Sequence, residues 1–237
     1  MSPRFADLKT LTLELPNAAT CARLFETLNF QRLRELEMRG RRDLGWPRDV
    51  GALGAALASC PLPGLTKLTI SGCAVGAVGL DALAGSSSMR SLAKLSLFNT
   101  QVGGGLASLV ESPFRESLTT LSIVDDQLTP ADCAALGDLP RLEHLDLHRC
   151  KLDDACATTV AATSMPALRQ LFLMENRITD RGALAFFDAE ANFPRLEKLS
   201  LLGCPIAVAT GQQLEASLWL QRPEIGAGLS YERSKPG

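Results

Sequence analysis

A short hydrophobic signature, Leu-x-x-Leu-x-apolar, recurs eight times along the chain. Its copies begin at Leu8, Leu33, Leu65, Leu92, Leu118, Leu142, Leu168 and Leu196. Successive copies therefore start 25, 32, 27, 26, 24, 26 and 28 residues apart. A repeat of this length predicts stacked supersecondary units, each of which buries its apolar face only against its neighbours. Eight copies are more than such a stack needs for a continuous core.

Each signature predicts a short strand followed by an inward turn. If the first leucine is position 0, positions 3 and 5 are also apolar, and this alternation is typical of a strand with one buried face. Position 8 is small or polar in the last six copies, which have Cys73, Thr100, Asp126, Cys150, Asn176 and Cys204 there. We expect these side chains to bond backbone groups that the bend leaves unpaired. Cysteine at this position is interpreted as a core residue rather than a reactive one.

Segments with helical spacing follow the turns. The pattern predicts helices over residues 79–85, 131–139, 153–162 and 180–189. Asp153 and Asp180 are candidate N-caps, and Pro130 suits a first helical turn. Before the next signature, a proline ends the helix and favours extended chain, at Pro63, Pro140, Pro166 and Pro194. Each unit is thus predicted to run strand, turn, helix and return.

The pattern Leu-x-x-Leu-x-Leu-x-x-(Asn/Cys)-x-Leu followed by a helix resembles the leucine-rich repeat superfamily. Periods of 24–28 residues with cysteine or asparagine at position 8 are similar to its ribonuclease-inhibitor-like subclass. The resemblance implies an α/β solenoid, a horseshoe arc of about eight repeats with parallel strands on the concave face and helices on the convex face. It weakens in the first two repeats, where position 8 holds Pro16 and Arg41.

Residues 1–237 are predicted to form a single leucine-rich repeat domain. Residues 1–64 would form an N-terminal cap and irregular repeats, residues 65–220 the regular repeats, and residues 221–237 a C-terminal closing strand and tail. The second repeat carries an arginine-rich insert from Arg39 to Arg48 around Trp46. We interpret this insert as a solvated loop, with contact to an acidic partner or a phosphate as the alternative.

Positions 2, 4 and 6 alternate with the buried leucines and are predicted to face the hollow of the arc. Position 6 becomes apolar in the later repeats and, with Phe172, predicts an apolar binding stripe interrupted by His148. Phe172 is the candidate anchor. The predicted contact residues are Lys67, Lys94, Ser96, Phe98, Ser122, Val124, His144, Asp146, His148, Phe172, Met174 and Lys198. The alternative for the apolar members is burial under a cap or under neighbouring side chains.

The sequence predicts neither a metal site nor an active site, and no cofactor. His144 and His148 share a strand face with Asp146, but side chains four positions apart on a strand stand about 13 Å apart, too far to share one ion. The sequence has no Gly-x-Ser-x-Gly, phosphate-loop, His-Glu-x-x-His or Cys-x-x-Cys pattern. The glycine run at residues 103–105 lacks the spacing and the lysine of a phosphate loop, so we interpret it as a flexible turn.

Composition and charge indicate the class of partner and the cellular location rather than the fold. The formal net charge is −2, with 24 Lys and Arg against 26 Asp and Glu, which gives no general field for nucleic acid or anionic membranes. The first residues lack the apolar core of a signal peptide, and no run approaches a membrane span. The chain has seven cysteines, an odd number, and they do not cluster into the disulfide-bonded end caps that secreted repeat domains usually carry. This favours reduced thiols and an intracellular, cytoplasmic location, in the cell's own cytosol or in that of a host.

These observations together predict a non-enzymatic protein–protein interaction scaffold. It would bind a protein or peptide on its concave face as a monomer, with no nucleic acid and no membrane as partner. The resemblance leaves two alternatives open. One is the regulation of an enzyme, as a GTPase activator or as a ubiquitin-ligase substrate adaptor, although an adaptor ordinarily needs an appended recruitment domain. The other is a pathogen effector acting in a host cell.

Overall fold

The computed structural model describes residues 7–15, 23–24, 30–40 and 51–215. Within these ranges eight strands form one sheet in chain order, and every neighbouring pair is parallel. The strands are Thr10–Leu15 (β1), Glu35–Gly40 (β2), Lys67–Ser71 (β3), Lys94–Phe98 (β4), Thr120–Val124 (β5), His144–Asp146 (β6), Gln170–Phe172 (β7) and Lys198–Ser200 (β8). The predicted α/β solenoid of parallel strands is therefore confirmed.

Helices connect the strands on the side where the leucines lie. The α-helices are Ala52–Ala58 (α1), Gly76–Ala84 (α2), Pro130–Ala135 (α3), Asp154–Ala162 (α4), Asp180–Leu184 (α5) and Val208–Glu215 (α6). Short 3-10 helices cover Leu106–Glu111, Leu136–Asp138 and Glu190–Asn192. Pro130 is the first residue of α3, as predicted. By contrast, α2 begins three residues before the predicted start, and α5 ends five residues before the predicted end.

The core lies between the sheet and the helices. Position-3 leucines such as Leu68, Leu95 and Leu121 pair in register from strand to strand and are at most 1% exposed. Burying such a side chain contributes about 1.5–3 kcal/mol. Because each leucine packs against the equivalent leucine of the next repeat, the repeats stabilise one another. The predicted burial of positions 3 and 5 is confirmed for the repeats of β2 to β7.

The last strand departs from this alternation. In β8, Leu199 is only half-buried, whereas Ser200 is buried. Leu199 pairs with Leu171 of β7, and β8 is the edge of the described sheet. A leucine with an equivalent neighbour on one side only keeps more of its surface exposed than leucines in the middle of the stack.

Buried side chains at position 8 close the inward turns, as predicted. Asp126 accepts hydrogen bonds from the backbone N–H groups of Thr100 and Val102, both at 3.2 Å, and of Gln127 at 2.9 Å. The Thr100 hydroxyl donates to the same carboxylate at 3.3 Å. Asp126 is 7% exposed, so without this carboxylate the donors would be left unpaired away from water. This one side chain ties the turn of one repeat to that of the next.

The cysteines at position 8 are core residues, also as predicted. The Cys150 thiol donates to the carbonyl of Ile123 at 3.0 Å, and the Cys204 thiol donates to that of Leu173 at 3.3 Å. Burial raises the pKa of Cys150 to about 12. Because the thiolate is the reactive form, these thiols are poor nucleophiles at neutral pH.

Position 7 has left-handed backbone in all six repeats from the third onward. The residues with their φ angles are Gly72 (64°), Asn99 (53°), Asp125 (56°), Arg149 (57°), Glu175 (52°) and Gly203 (73°). The N–H of this residue donates to the position-6 carbonyl of the next repeat, as from Arg149 to Met174 at 3.0 Å. The hydrogen-bond ladder therefore extends one step beyond the strands, and the turns form a continuous edge that we call the rim.

Carboxylates at the starts of helices link neighbouring repeats. Asp153 is the N-cap of α4 and accepts from Cys156 N–H at 3.0 Å, as predicted. The prediction that Asp180 caps α5 is wrong, because Thr179 occupies the N-cap position and Asp180 accepts from Ala207 N–H of the following repeat at 2.8 Å. Thr179 is held by Asp154 of the preceding repeat, which accepts from its N–H and its hydroxyl, each at 2.7 Å.

Replacing Asp154 with alanine is expected to lower the free energy of unfolding by about 0.5–1 kcal/mol at pH 7. This is the low end of the range for side chains that accept hydrogen bonds at the start of a helix, because Asp154 is partly exposed. Hydrogen bonds from Thr179 hold the pKa of the Asp154 carboxyl below its usual value. A carboxyl with a lowered folded-state pKa stabilises the fold above its unfolded pKa, about 3.9, and this stabilisation is lost as pH falls through the folded pKa.

Urea denaturation at a series of pH values checks this expectation. The difference between wild type and the Asp154→Ala variant should be complete at pH 7 and should shrink below about pH 4. Asp81→Ala, which removes an exposed carboxylate within α2, is the control and should show little difference at any pH. A difference for Asp154→Ala that stays constant into acid would contradict the role of the ionised carboxylate.

Candidate functional site

Strand register brings the predicted contact residues onto one face of the sheet. Position 2 aligns Lys67, Lys94, Thr120, His144, Gln170 and Lys198 across six strands, and position 4 aligns Ser96, Ser122, Asp146 and Phe172 across four. Phe98 and Val124 are paired at position 6. Eleven of the twelve predicted contact residues are half-buried or exposed, and Ser122 is the exception. The concave face therefore presents one surface drawn from six repeats.

Ser122 requires a correction. Its side chain is only 9% exposed, and its hydroxyl donates to the Asp146 carboxylate at 3.3 Å. The prediction treated every position-4 residue as open, whereas this short side chain is covered and is hydrogen-bonded to its register partner Asp146 on β6. Ser122 therefore offers almost no surface to a partner and instead orients Asp146.

The apolar side chains of position 6 lie next to one another, and with Phe172 they form what we call the concave stripe. Its members are Phe98, Val124, His148, Met174 and Phe172. The hydrogen-bond ladder that extends past the strands places His148 between Val124 and Met174. All five residues are half-buried. They are neither sealed in the core nor freely exposed, so they are held in position with one side open to solvent.

Phe172 lies beside a cation and a carboxyl group on this face. The ammonium group of Lys198 lies 5.0 Å from the centre of its ring, a cation–π contact. Asp146 is its register partner on β6 and accepts from His148 N–H at 3.1 Å. Burial raises the pKa of the Asp146 carboxyl. An aromatic ring, a cation and a partly desolvated carboxyl are thus adjacent, as in many protein-binding sites.

A charged cluster on the rim was missed by the sequence reasoning. Arg149 Nε lies 3.2 Å from Asp125 Oδ1 and 3.5 Å from Glu175 Oε2. His148 Nε2 lies 3.1 Å from Glu175 Oε1, but the two atoms are not aligned for a hydrogen bond. For contact residues the sequence analysis considered only positions 2, 4 and 6, whereas Asp125, Arg149 and Glu175 lie at position 7. The run of polar residues at position 7 was the signal that could have revealed them.

The N-terminal end of the concave face carries exposed ion pairs. Lys67 Nζ lies 3.5 Å from Glu35 Oε2, and Arg39 Nε lies 2.7 Å from Glu37 Oε1. The hydrogen bond from Arg39 lowers the pKa of the Glu37 carboxyl. Exposed pairs of this kind contribute little to stability, because solvent screens them. The remainder of the arginine-rich insert with Trp46, the closing strand predicted at residues 221–237, and the position-8 residues Pro16 and Arg41 lie outside the described residues.

No group of three or more His, Cys, Asp or Glu within residues 7–15, 23–24, 30–40 and 51–215 is arranged to hold a metal ion. None of the helices in the described ranges combines the length and the apolarity that a membrane crossing requires.

A cavity of about 590 Å³ lies on the rim, where β4, β5 and β6 end. Its walls come from the turns of three consecutive repeats and consist of Asn99, Gln101, Gly103, Gly104, Asp125, Asp126, Gln127, Thr129 and Lys151. The glycine run interpreted as a turn forms one wall, and Gly104 has a φ of 81° that favours glycine. We call this feature the rim cavity. The sequence analysis did not predict it, because it forms only when three turns stack.

Comparisons with known proteins support the same fold. The family model described as Leucine Rich repeat matches residues 64–84 and 165–187. An internalin (inlF) from Listeria monocytogenes is similar in structure, with a TM-score of 0.58 and 17% sequence identity, over 97% of this chain and 55% of that chain. A protein from Bacteroides fragilis is similar with a TM-score of 0.56 and 15% identity, over 100% of this chain and 68% of that chain.

A comparison with curated protein sequences gives no match. The chain spans about half the length of the internalin, and at 15–17% identity the likeness concerns the fold. Membership of the ribonuclease-inhibitor-like subclass stays a prediction. Leucine-rich repeat proteins are generally protein-binding scaffolds rather than enzymes. Two segments that match the leucine-rich repeat model, and eight parallel strands stacked in chain order, confirm the predicted leucine-rich-repeat solenoid fold.

Proposed function

We propose that the protein is a non-enzymatic scaffold that binds a protein or peptide on its concave face. The observation that carries the proposal is the concave stripe, in which half-buried apolar side chains of the fourth, fifth and seventh repeats lie on either side of His148 of the sixth. Contiguous partly exposed apolar surface is typical of interaction sites. Curved repeat arrays provide extended concave surfaces for such contacts.

The proposed contact has an apolar centre and a polar margin. Phe98 and Phe172 would supply the anchors, since aromatic residues near the centre of an interface can cost about 2 kcal/mol or more when truncated. The exposed side chains of Lys67, Lys94 and Lys198 lie along position 2 and would orient a partner at the margin. This division supports a partner with apolar side chains flanked by polar groups.

A cytoplasmic location and a monomeric state belong to the same proposal. Six cysteines, those at positions 60, 73, 133, 150, 156 and 204, are buried free thiols, and unpaired thiols are usual in reducing compartments. The net charge of −2 does not favour nucleic acid or an anionic membrane as partner. The enzyme-regulator and effector alternatives rest on the family resemblance alone, so we propose the binding role.

Replacing both Phe98 and Phe172 with glutamate is expected to reduce recovery of the partner at least about tenfold, because charges would be buried in the apolar centre of the contact. The two rings are half-buried and have one side open to solvent, so the fold should tolerate the change with a modest shift in thermal midpoint. The test compares proteins captured by the intact chain and by the double variant from lysate of the source cells, with each captured protein quantified by mass spectrometry.

Phe187→Glu is the matched control, because this phenylalanine is 42% exposed on the helical side of its repeat. The control should capture the same proteins as wild type. Equal recovery by the double variant would overturn the proposal. It would also be overturned if the double variant lost as much stability as Leu145→Ala, since Phe98 and Phe172 would then be acting as core residues.

A further inference from the structure

The rim cavity lies directly beside the concave stripe. Asn99 follows Phe98 in the chain and Asp125 follows Val124, and both Asn99 and Asp125 line the cavity. A partner whose apolar side chains rest on Phe98 and Val124 therefore has the cavity within reach of its next residues. Its volume of about 590 Å³ lies within the range of about 300–1,000 Å³ typical of ligand pockets.

Each charged side chain in the cavity walls already has a partner within the protein. The walls carry two carboxylates, those of Asp125 and Asp126, and one cation, Lys151. Asp126 accepts four hydrogen bonds, and Asp125 pairs with Arg149 at 3.2 Å. Lys151 Nζ lies 3.4 Å from Gln127 Oε1. Because these charges are already bonded within the protein, the described walls present no unpaired ion to attract a charged ligand, and a neutral polar ligand is favoured.

Carboxamides dominate the remaining polar groups. Asn99, Gln101 and Gln127 line the cavity together with the Thr129 hydroxyl. A carboxamide presents a carbonyl acceptor beside two N–H donors, and this arrangement is complementary to the C=O and N–H groups of a peptide main chain. In the described part of the chain, the side-chain amides of Asn99 and Gln101 make no hydrogen bond. Their hydrogen-bonding capacity is therefore directed to solvent or to a ligand.

From these observations we propose that the rim cavity binds the main chain of an extended peptide segment whose apolar side chains occupy the concave stripe at Phe98 and Val124. The carboxamides of Asn99, Gln101 and Gln127 pair with its peptide groups. This inference rests on the proposed function and adds the class of partner, an unfolded or extended segment rather than a preformed helix. The main-chain groups of a helix are already paired internally and have nothing to offer the carboxamides.

The test uses a peptide selected for binding to the intact chain from a displayed library of random sequences about twelve residues long. Its affinity is measured by fluorescence anisotropy for wild type and for the Gln101→Ala, Gln127→Ala double variant. Loss of two neutral hydrogen-bonding side chains is expected to weaken binding about tenfold. The matched control is the Gln212→Ala, Gln213→Ala double variant in α6, where both glutamines are exposed, and it should bind as wild type does.

Main-chain recognition is tested with the same peptide methylated at its backbone nitrogens one at a time. At least one methylation should weaken binding to wild type about fivefold or more, and should have much less effect on the Gln101→Ala, Gln127→Ala variant. Retained methylation sensitivity in that variant would overturn the assignment of these carboxamides. Affinity that no methylation affects would overturn main-chain recognition, and so would a library in which no peptide binds wild type.

The outcomes also separate this inference from the proposed function. If the Phe98→Glu, Phe172→Glu variant loses the peptide while the Gln101→Ala, Gln127→Ala variant binds normally, the cavity proposal fails and concave binding stands. If the phenylalanine variant binds the peptide as wild type does, concave binding itself fails for this ligand. Circular dichroism of each variant establishes that it is folded, which the exposure of Gln101 and Gln127 leads us to expect.

Discussion

Replacement of Asn176 with aspartate is expected to lower the free energy of unfolding by about 3–5 kcal/mol. Asn176 is 5% exposed, and its Nδ2 donates to the carbonyls of Leu147 at 2.8 Å and Leu173 at 2.9 Å. Aspartate would direct an ionised oxygen at these carbonyl oxygens. The buried charge would gain no partner in exchange, and urea denaturation at pH 7 measures the loss.

Two further variants test whether the lost stability comes from the Asn176 hydrogen bonds. Asn99→Asp makes the same chemical change at a half-buried turn position that tolerates left-handed backbone, so it should cost less than about 1 kcal/mol. Asp126→Asn is the inverse change at the same repeat position, and it should also destabilise, because it turns an amide N–H₂ toward N–H donors that need an acceptor. A stable Asn176→Asp variant would show that the Asn176 hydrogen bonds do not hold the turns together.

The Gly54→Ala variant is expected to lose about 2–3 kcal/mol of stability, although alanine is the better helix former by about 1 kcal/mol. Gly54 lies in α1 against Gly79 of α2. A Cβ on Gly54 would lie 2.1 Å from the carbonyl oxygen and 2.5 Å from the Cα of Gly79. These are backbone atoms of the neighbouring helix, so relief requires the two repeats to move apart and the leucines between them to lose contact.

The Gly85→Ala variant provides the control for this expectation. At Gly85 an added Cβ would come no closer than 3.5 Å to another heavy atom, the carbonyl oxygen of Asp81. Its φ of −73° suits any L residue. Stability should therefore be unchanged or raised by up to about 1 kcal/mol, through the reduced freedom of the unfolded chain. If Gly54→Ala were as stable as Gly85→Ala, the close contact between α1 and α2 would be contradicted.

The strand leucines show why most of the fold was predictable. Their period of two specifies which face is buried, and a slip of one residue would place every leucine in water. The regular return of the signature then requires Leu68, Leu95 and Leu121 to stack in register, as they do. These conclusions depend on local alternation and spacing, which are visible in one sequence.

The helix starts and caps were less predictable. Asp153 is an N-cap, as expected, whereas Asp180 is not, although both acids begin a helical pattern. The difference arises because Asp154 of one repeat bonds Thr179 of the next, so the cap of α5 depends on a contact between residues 25 positions apart. Sequence rules for capping consider only neighbours along the chain.

The candidate site divides in the same way. Strand alternation predicted that Phe98, Phe172 and their neighbours face the hollow, and in the structure these side chains are half-buried with one side open to solvent. Alternation could not show that Ser122 is covered, because its burial depends on the side chains of adjacent strands. Nor could it reveal the rim cavity, whose walls combine three turns in which Asn99 and Asp125 adopt left-handed backbone.

The repeat architecture, the buried leucine face and the chemistry of position 8 can thus be read from the amino-acid order, since each depends on periodicity along the chain. How closely successive repeats approach is visible only in the folded molecule. That spacing leaves no room for a Cβ at Gly54 and brings N–H donors of the preceding repeat to the Asp126 carboxylate. It also determines where the rim has an open cavity. The physical reason is that these contacts join atoms about one repeat apart in sequence, and their distances result from the packing of the whole stack.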